Sequence, residues 1–122
     1  MPETSLRLPL VITALTIGAG VLDSLAFTYS SSVWQGGRIV WAQAAKAATA
    51  FALGIAMYWG AVRYLAEAGV VLPEIQTLIW FSVTIIGVTV MGGRFIHWPW
   101  ADQLAGVCAL LSLGWLIVRT ST

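Results

Sequence analysis

The side chain best suited to chemistry is a carboxylate inside an apolar stretch. Asp23 is the only charged residue in the run from Pro9 to Tyr29. A carboxylate inside a bilayer-spanning helix is costly, and it marks a functional site or a buried ion pair. Lys46 would lie at a comparable depth if the second helix began near Arg38. Three interpretations stay open: an ion pair between Asp23 and Lys46, a substrate-binding or coupling carboxylate, and a carboxylate that reaches interfacial water.

One aromatic residue could contribute to the same chemistry. Most of the seven tryptophans fall near the ends of apolar runs, where indole rings anchor at the lipid interface. Trp80 lies well inside the third run, next to Phe81. Aromatic faces attract cations. We therefore expect Trp80 to lie against a cavity, and a substrate site there would be lined by Asp23, Trp80 and Thr84.

Residues for other chemistries are scarce. The chain has one histidine, His97, and one cysteine, Cys108. It offers no Ser, His and Asp set on a shared face and no ligand cluster for a metal, so we expect no enzyme activity, no metal and no cofactor. Six Lys and Arg against five Asp and Glu give a net charge of +1, which predicts no nucleic-acid partner.

The elements that must position Asp23 and Trp80 are apolar helices. Of the 122 residues, 59% are hydrophobic and 9% charged, too few charges to cover the surface of a soluble domain. About 20 apolar residues cross a bilayer as a helix. We predict an all-α polytopic membrane protein: a single domain over 1–122 that forms a four-transmembrane-helix bundle with short loops. The approximate spans are 9–29, 42–65, 72–91 and 99–118.

Proline and glycine mark the ends of these spans. Pro9 suits the first turn of the first helix, and Pro73 with Glu74 opens the third. Gly36-Gly37 and Gly92-Gly93 act as breakers after the first and third spans. The start of the second helix is the boundary that these signals define least.

Two helix faces predict packing contacts. The first helix carries a stripe of small and polar residues that should face protein or a cavity: Thr16, Ala19, Gly20, Asp23, Ala26 and Ser30. The second carries a row of small residues every four positions, which would let another helix approach closely. This row consists of Ala44, Ala48, Ala52, Ala56 and Gly60. An alanine-rich helix with no special partner is the alternative.

The cationic residues are balanced between the two sides of the bilayer. Short loops make successive helices antiparallel, which puts Arg7, Arg63 and Arg119 on one side and Arg38, Arg94 and Lys46 on the other or near it. Orientation follows the asymmetry of Lys and Arg. We therefore carry the hypothesis that the chain inserts both ways and forms an antiparallel homodimer.

Several short motifs fall in the order of a known family: Leu65-Ala66, Leu78-Ile79-Trp80, Gly92-Gly93-Arg94, and the segment from Gly106 to Gly114. With the four predicted helices, the chain resembles the drug/metabolite transporter superfamily, specifically its small multidrug resistance type or an EamA-like half. The resemblance implies a dimer whose cavity is lined by a membrane-embedded tryptophan, here Trp80. The family's glutamate in the first helix is absent, and Asp23 lies about one turn further along.

The sequence leaves two functions open. The first is a small transporter in a bacterial plasma (inner) membrane that moves a small cationic, amine or lipid-linked metabolite by alternating access. The alternative is an accessory or structural subunit that transports nothing and docks into a larger membrane complex. The expected partners are the lipid bilayer and either a second copy or other subunits.

Overall fold

The described part of the chain folds into four long helices, joined by short connections. The computed structural model describes the backbone of residues 2–120 and the side chains of residues 6–120. The helices are α1 (Pro2–Ser30), α2 (Trp41–Glu67), α3 (Pro73–Gly92) and α4 (Trp100–Thr120). All four are long and apolar enough to cross a membrane, which confirms that part of the sequence-based prediction.

The helix ends follow the proline and glycine signals at α3 but not at the start of α1. Pro73 occupies the first turn of α3, and Gly93 ends the helix in the left-handed conformation at φ 63°. In contrast, α1 begins at Pro2, and Pro9 lies inside the helix. Long apolar helices tolerate an interior proline because neighbouring groups accommodate the freed backbone carbonyl.

The connection between α1 and α2 is a small β-hairpin. Strand β1 (Trp34–Gln35) pairs antiparallel with β2 (Arg38–Ile39). Gly36 and Gly37 form its two-residue turn at φ 58° and 76°, the pair of positive angles that a type I′ turn requires. The sequence analysis predicted only a breaker at these glycines. Because the hairpin occupies residues 34–39, α2 begins at Trp41.

The helix α1 lies between α2 and α3. A Cβ at Gly18 would meet Met57 of α2, and Asp23 lies opposite Gly54, so α1 and α2 are antiparallel. On the other side, Gly20 lies against Val83 of α3 and Ser24 lies against Gly87, so α1 and α3 are parallel. Glycines on these faces let the backbones approach closely.

The helix α4 packs beside α3, and none of its described residues is buried. The side-chain amide of Gln103 donates to the Phe95 carbonyl at 2.9 Å, which ties the start of α4 to the short 3-10 helix Phe95–His97. The chain is therefore a packed group of three helices with a fourth alongside.

The face of α2 that packs within the chain differs from the predicted row. The buried residues of α2 are Ala47, Ala50, Gly54, Ala61 and Leu65. Ala48, Ala52 and Ala56 are exposed, whereas Ala44 and Gly60 are half-buried. A strict four-residue spacing turns by about 40° per step around a helix of 3.6 residues per turn, so this row drifts away from any one neighbour. The packing of this row against another helix, from outside the described residues, stays a prediction.

Candidate functional site

The stripe predicted on α1 is the face that the other helices cover. Ala19 and Ala26 are fully buried, and Thr16 and Asp23 retain 9% and 2% of their exposure. The structure therefore confirms that this face lies against protein. Small residues on the stripe bring α2 and α3 close, which encloses the two polar side chains between apolar helices.

The carboxylate of Asp23 occupies space that a glycine provides. A Cβ on Gly54 of α2 would lie 2.6 Å from Asp23 Oδ1, closer than side-chain atoms normally approach. That oxygen is buried and accepts no hydrogen bond from the described residues. A buried polar atom without a partner is unfavourable. We therefore expect Oδ1 to accept a hydrogen bond from a water, a ligand or a second chain.

A polar contact links α1 to α3 one residue beyond Asp23. The Ser24 hydroxyl lies 2.6 Å from the Gly20 carbonyl oxygen and 3.2 Å from the Thr84 carbonyl oxygen, and it donates to this pair. Gly87 leaves room for the hydroxyl, because a Cβ there would overlap it. This contact fixes the level of Thr84 relative to Asp23.

The Thr84 and Thr16 hydroxyls are buried and have no hydrogen-bond partner among the described residues. Threonines in helices commonly donate to the carbonyl four residues earlier. Five threonines here do so: Thr13, Thr28, Thr49, Thr89 and Thr120. Thr16 and Thr84 therefore keep hydrogen-bonding capacity that the local backbone does not use.

Trp80 stacks on an aromatic ring of α2. Its ring centroid lies 4.4 Å from that of Tyr58, with an interplanar angle of 19°. The indole Nε1, which can only donate, is buried and has no acceptor among the described residues. Trp80 lies one helical turn before Thr84, so α3 presents an indole donor and a hydroxyl at adjacent levels.

These four unpartnered atoms belong to what we term the mid-depth polar cluster: Thr16, Asp23, Trp80 and Thr84. Thr16 and Asp23 are about 10 Å apart along α1. The parallel pairing of Ser24 with Thr84 and Gly87 places Trp80 and Thr84 within the same interval of α1. The apolar span Leu6–Ser30 extends in both directions from this interval. The cluster thus comprises a carboxylate, two hydroxyls and an indole N–H that lie at similar levels along α1 and α3.

The structure separates the two residues of the candidate ion pair, which was one of three interpretations of Asp23. Lys46 is exposed, and its Nζ lies 5.7 Å from the centroid of the Tyr29 ring. No ion pair joins Lys46 to Asp23 within residues 6–120. Tyr29 is about 9 Å along α1 from Asp23. The predicted match in depth assumed a helix that begins near Arg38, but the hairpin delays that start to Trp41.

Sequence reasoning missed part of this neighbourhood. It assigned no role to Ser24, Gly54, Tyr58 or Gly87, and it placed Thr16 on the polar stripe without including it in the site. Periodicity could have suggested Thr16, which lies on the same face as Asp23. Nothing in a single sequence pairs Gly54 with Asp23 or Tyr58 with Trp80, because both pairs depend on the register between helices.

Comparisons with protein-family models, curated proteins and solved structures find no match to this chain. The resemblance to drug/metabolite transporters therefore stays an expectation from short motifs.

Proposed function

We propose that this chain is an integral membrane transporter whose substrate site is built around the mid-depth polar cluster. The observation that carries the proposal is a set of four buried polar atoms within long apolar helices that have no hydrogen-bond partner among the described residues. Each such atom costs about 1–3 kcal/mol, against a total stability of about 5–15 kcal/mol for a folded domain. A substrate or water that completes these hydrogen bonds explains why the chain carries them.

The chemistry of the cluster favours a small cationic or amine-bearing metabolite. The Asp23 carboxylate can neutralise a positive charge and accept its N–H groups. The Trp80 ring stacks on Tyr58 with one face, so a cation would use its other face. The hydroxyls of Thr16 and Thr84 can donate or accept. A lipid-linked metabolite would need an opening between helices for its chain and is the less favoured substrate.

We further propose that the transporter is a homodimer and that it works by alternating access. The exposed face of α4 and the balanced Lys and Arg residues support a homodimer, parallel or antiparallel. Spanning helices, rather than barrels, are the usual architecture of plasma membranes. We propose a plasma membrane location on this ground, and the inner membrane of a bacterium stays the expectation from the sequence.

Flux into proteoliposomes tests the proposal, with guanidinium, tetramethylammonium and ethanolamine as probes. Asp23→Asn keeps the shape of the side chain and removes its charge. We expect it to lower the initial rate at least tenfold, since charge-assisted hydrogen bonds contribute about 1.5–3 kcal/mol. Asp102→Asn is the matched control, because Asp102 lies exposed in the first turn of α4. It should stay within twofold of wild type.

Two results would remove support for transport. One is a wild-type protein that moves none of the probes above the rate of empty liposomes. The other is an Asp23→Asn variant that transports as fast as the Asp102→Asn control.

A second function is favoured by the exposure of α4. A helix of 21 residues with none buried in the chain needs lipid, a second copy or another protein around it. If the cover is an unrelated subunit, the chain is an accessory subunit that transports nothing. The mass of the complex extracted under mild conditions discriminates the two: a homodimer favours transport, and stoichiometric recovery with other subunits favours the accessory role.

A further inference from the structure

A groove lies at the end of the molecule where α1 and α3 both finish. It has a volume of about 400 Å³, within the range of small-molecule sites. The last turns of α1 and α3 form its sides, and the segment after α3 closes its end. We term it the Arg94 groove, after its main lining residues: Phe27, Thr28, Val88, Arg94, Phe95 and Trp98.

The walls of the Arg94 groove suit hydrocarbon. Phe27 and Val88 line its sides, and the rings of Phe95 and Trp98 pack together at its end with centroids 5.3 Å apart. The Thr28 hydroxyl donates to the Ser24 carbonyl at 2.8 Å. Its proton is therefore already used, and the groove presents mainly apolar surface below its mouth.

The groove has a single positive charge at its mouth. Arg94 follows Gly93 at the end of α3, is exposed, and forms no ion pair within the described part of the chain. Two helix C-termini approach this end, and their partial charge is negative, so the helices themselves do not attract an anion. The guanidinium is thus the only group in the described lining that recruits one.

The position of the groove matches the headgroup level of a bilayer. Four exposed tryptophans occur at the same end of the helices, in the hairpin, at the start of α2 and around the start of α4. They are Trp34, Trp41, Trp98 and Trp100. Indole rings concentrate at the membrane interface, so Arg94 lies where lipid phosphates lie.

We infer that the Arg94 groove binds one anionic phospholipid, with the phosphate at the Arg94 guanidinium and an acyl chain along Phe27 and Val88. This inference uses membrane insertion but not transport, so it can fail or hold independently of the mid-depth polar cluster. A guanidinium binds a phosphate through two parallel hydrogen bonds. A zwitterionic lipid carries a cationic group that offsets this attraction, so the site should prefer a headgroup with net negative charge.

Native mass spectrometry tests the site directly. The full chain, delipidated in detergent, is offered equal amounts of phosphatidylglycerol and phosphatidylcholine. We expect wild type to retain one phosphatidylglycerol in preference. Arg94→Gln should lower that preference about fivefold, the equivalent of the roughly 1 kcal/mol that one Arg contributes near anionic lipid. Arg38→Gln is the matched control, since Arg38 lies exposed on β2 outside the groove lining and its loss changes net charge equally.

A second variant separates the groove from its charge. Val88→Trp fills the groove and leaves Arg94 in place, so we expect it to lose retention of the lipid. Size-exclusion profiles identify variants that are still folded. The inference is overturned if wild type retains both lipids equally, if Arg38→Gln loses the preference as fully as Arg94→Gln, if folded Val88→Trp retains the lipid, or if millimolar inorganic phosphate displaces it.

Discussion

Asp23 of α1 lies against Gly54 of α2 so closely that a Cβ at residue 54 would stand 2.6 Å from the carboxylate oxygen Oδ1. The carboxylate and the glycine are therefore one structural unit, although they come from different helices. Burial of the carboxylate depends on a neighbour with no side chain, and α2 approaches α1 at this level because Gly54 has none.

Gly54→Ala tests this relationship. The added methyl group must displace the Asp23 carboxylate or separate the helices, and we expect a loss of about 1–3 kcal/mol in stability, typical of an overpacked core. Gly114→Ala is the control, because a Cβ there meets nothing within 4 Å. It should be neutral or more stable, since alanine favours helix. Thermal unfolding in detergent gives both values, and equal midpoints for the two variants would contradict the Asp23 contact.

The contact between Ser24 and Gly87 predicts coupling between α1 and α3. Gly87→Ala should destabilise the chain because its Cβ overlaps the Ser24 hydroxyl. In a Ser24→Ala background that oxygen is gone, and the nearest atoms are the Cβ of residue 24 at 3.0 Å and the Gly20 carbonyl oxygen at 3.5 Å. Gly87→Ala should therefore cost less stability in the Ser24→Ala background than in wild type. A double-mutant cycle by thermal unfolding should give a coupling energy of about 0.5–3 kcal/mol, whereas strict additivity would mean that the helices do not meet there.

Thr84→Val separates stability from function. Valine has nearly the shape of threonine but lacks the buried hydroxyl that has no partner. We expect stability to be unchanged or raised by about 1 kcal/mol, while flux of the probe cations falls. Thr49→Val is the control, because Thr49 is exposed and its hydroxyl donates to the Ala45 carbonyl. A Thr84→Val protein that is less stable and still transports normally would make the hydroxyl structural.

Removal of Lys46 should leave Asp23 unaffected. Lys46 is exposed beside Tyr29, so Lys46→Met and Asp23→Asn should add in their effects on stability to within about 0.5 kcal/mol. Loss of one partner of a buried ion pair costs about 3–5 kcal/mol and couples the two variants strongly. Strong coupling in this cycle would restore the ion pair that the sequence suggested.

The helices could be predicted because their signals are local. Hydropathy over about 20 residues, Pro73 at a first turn and Gly93 after a last turn each act within one element. The hairpin was missed for the opposite reason: each of its strands has two residues, too few for an alternating pattern. Gly36-Gly37 between short extended segments was its one available signal.

Three residues of the mid-depth polar cluster could be singled out from the sequence, but Thr16 and the contacts between the helices could not. Their positions within apolar runs identify Asp23 as an unusual carboxylate and Trp80 as an aromatic residue far from a span end. Which neighbours they meet depends on helix register, and a shift of a few residues separated Lys46 from Asp23. The row of small residues on α2 shows the same dependence on geometry. A spacing of four residues differs slightly from the 3.6 residues of a helical turn, and Ala52 is therefore exposed and not packed.

The most direct test of the central claim is whether water reaches the mid-depth polar cluster. Thr84→Cys, in a chain that also carries Cys108→Ser, is reconstituted and exposed on both sides to a charged, membrane-impermeant methanethiosulfonate reagent. Leu111→Cys in the same background is the control, because Leu111 is 68% exposed on α4, where a transmembrane helix would face lipid. The account predicts that Cys at position 84 reacts and that a transported cation slows the reaction, while Cys at position 111 does not react. A folded Thr84→Cys protein that stays unmodified would show that the cluster is sealed, and it would contradict the proposed substrate site.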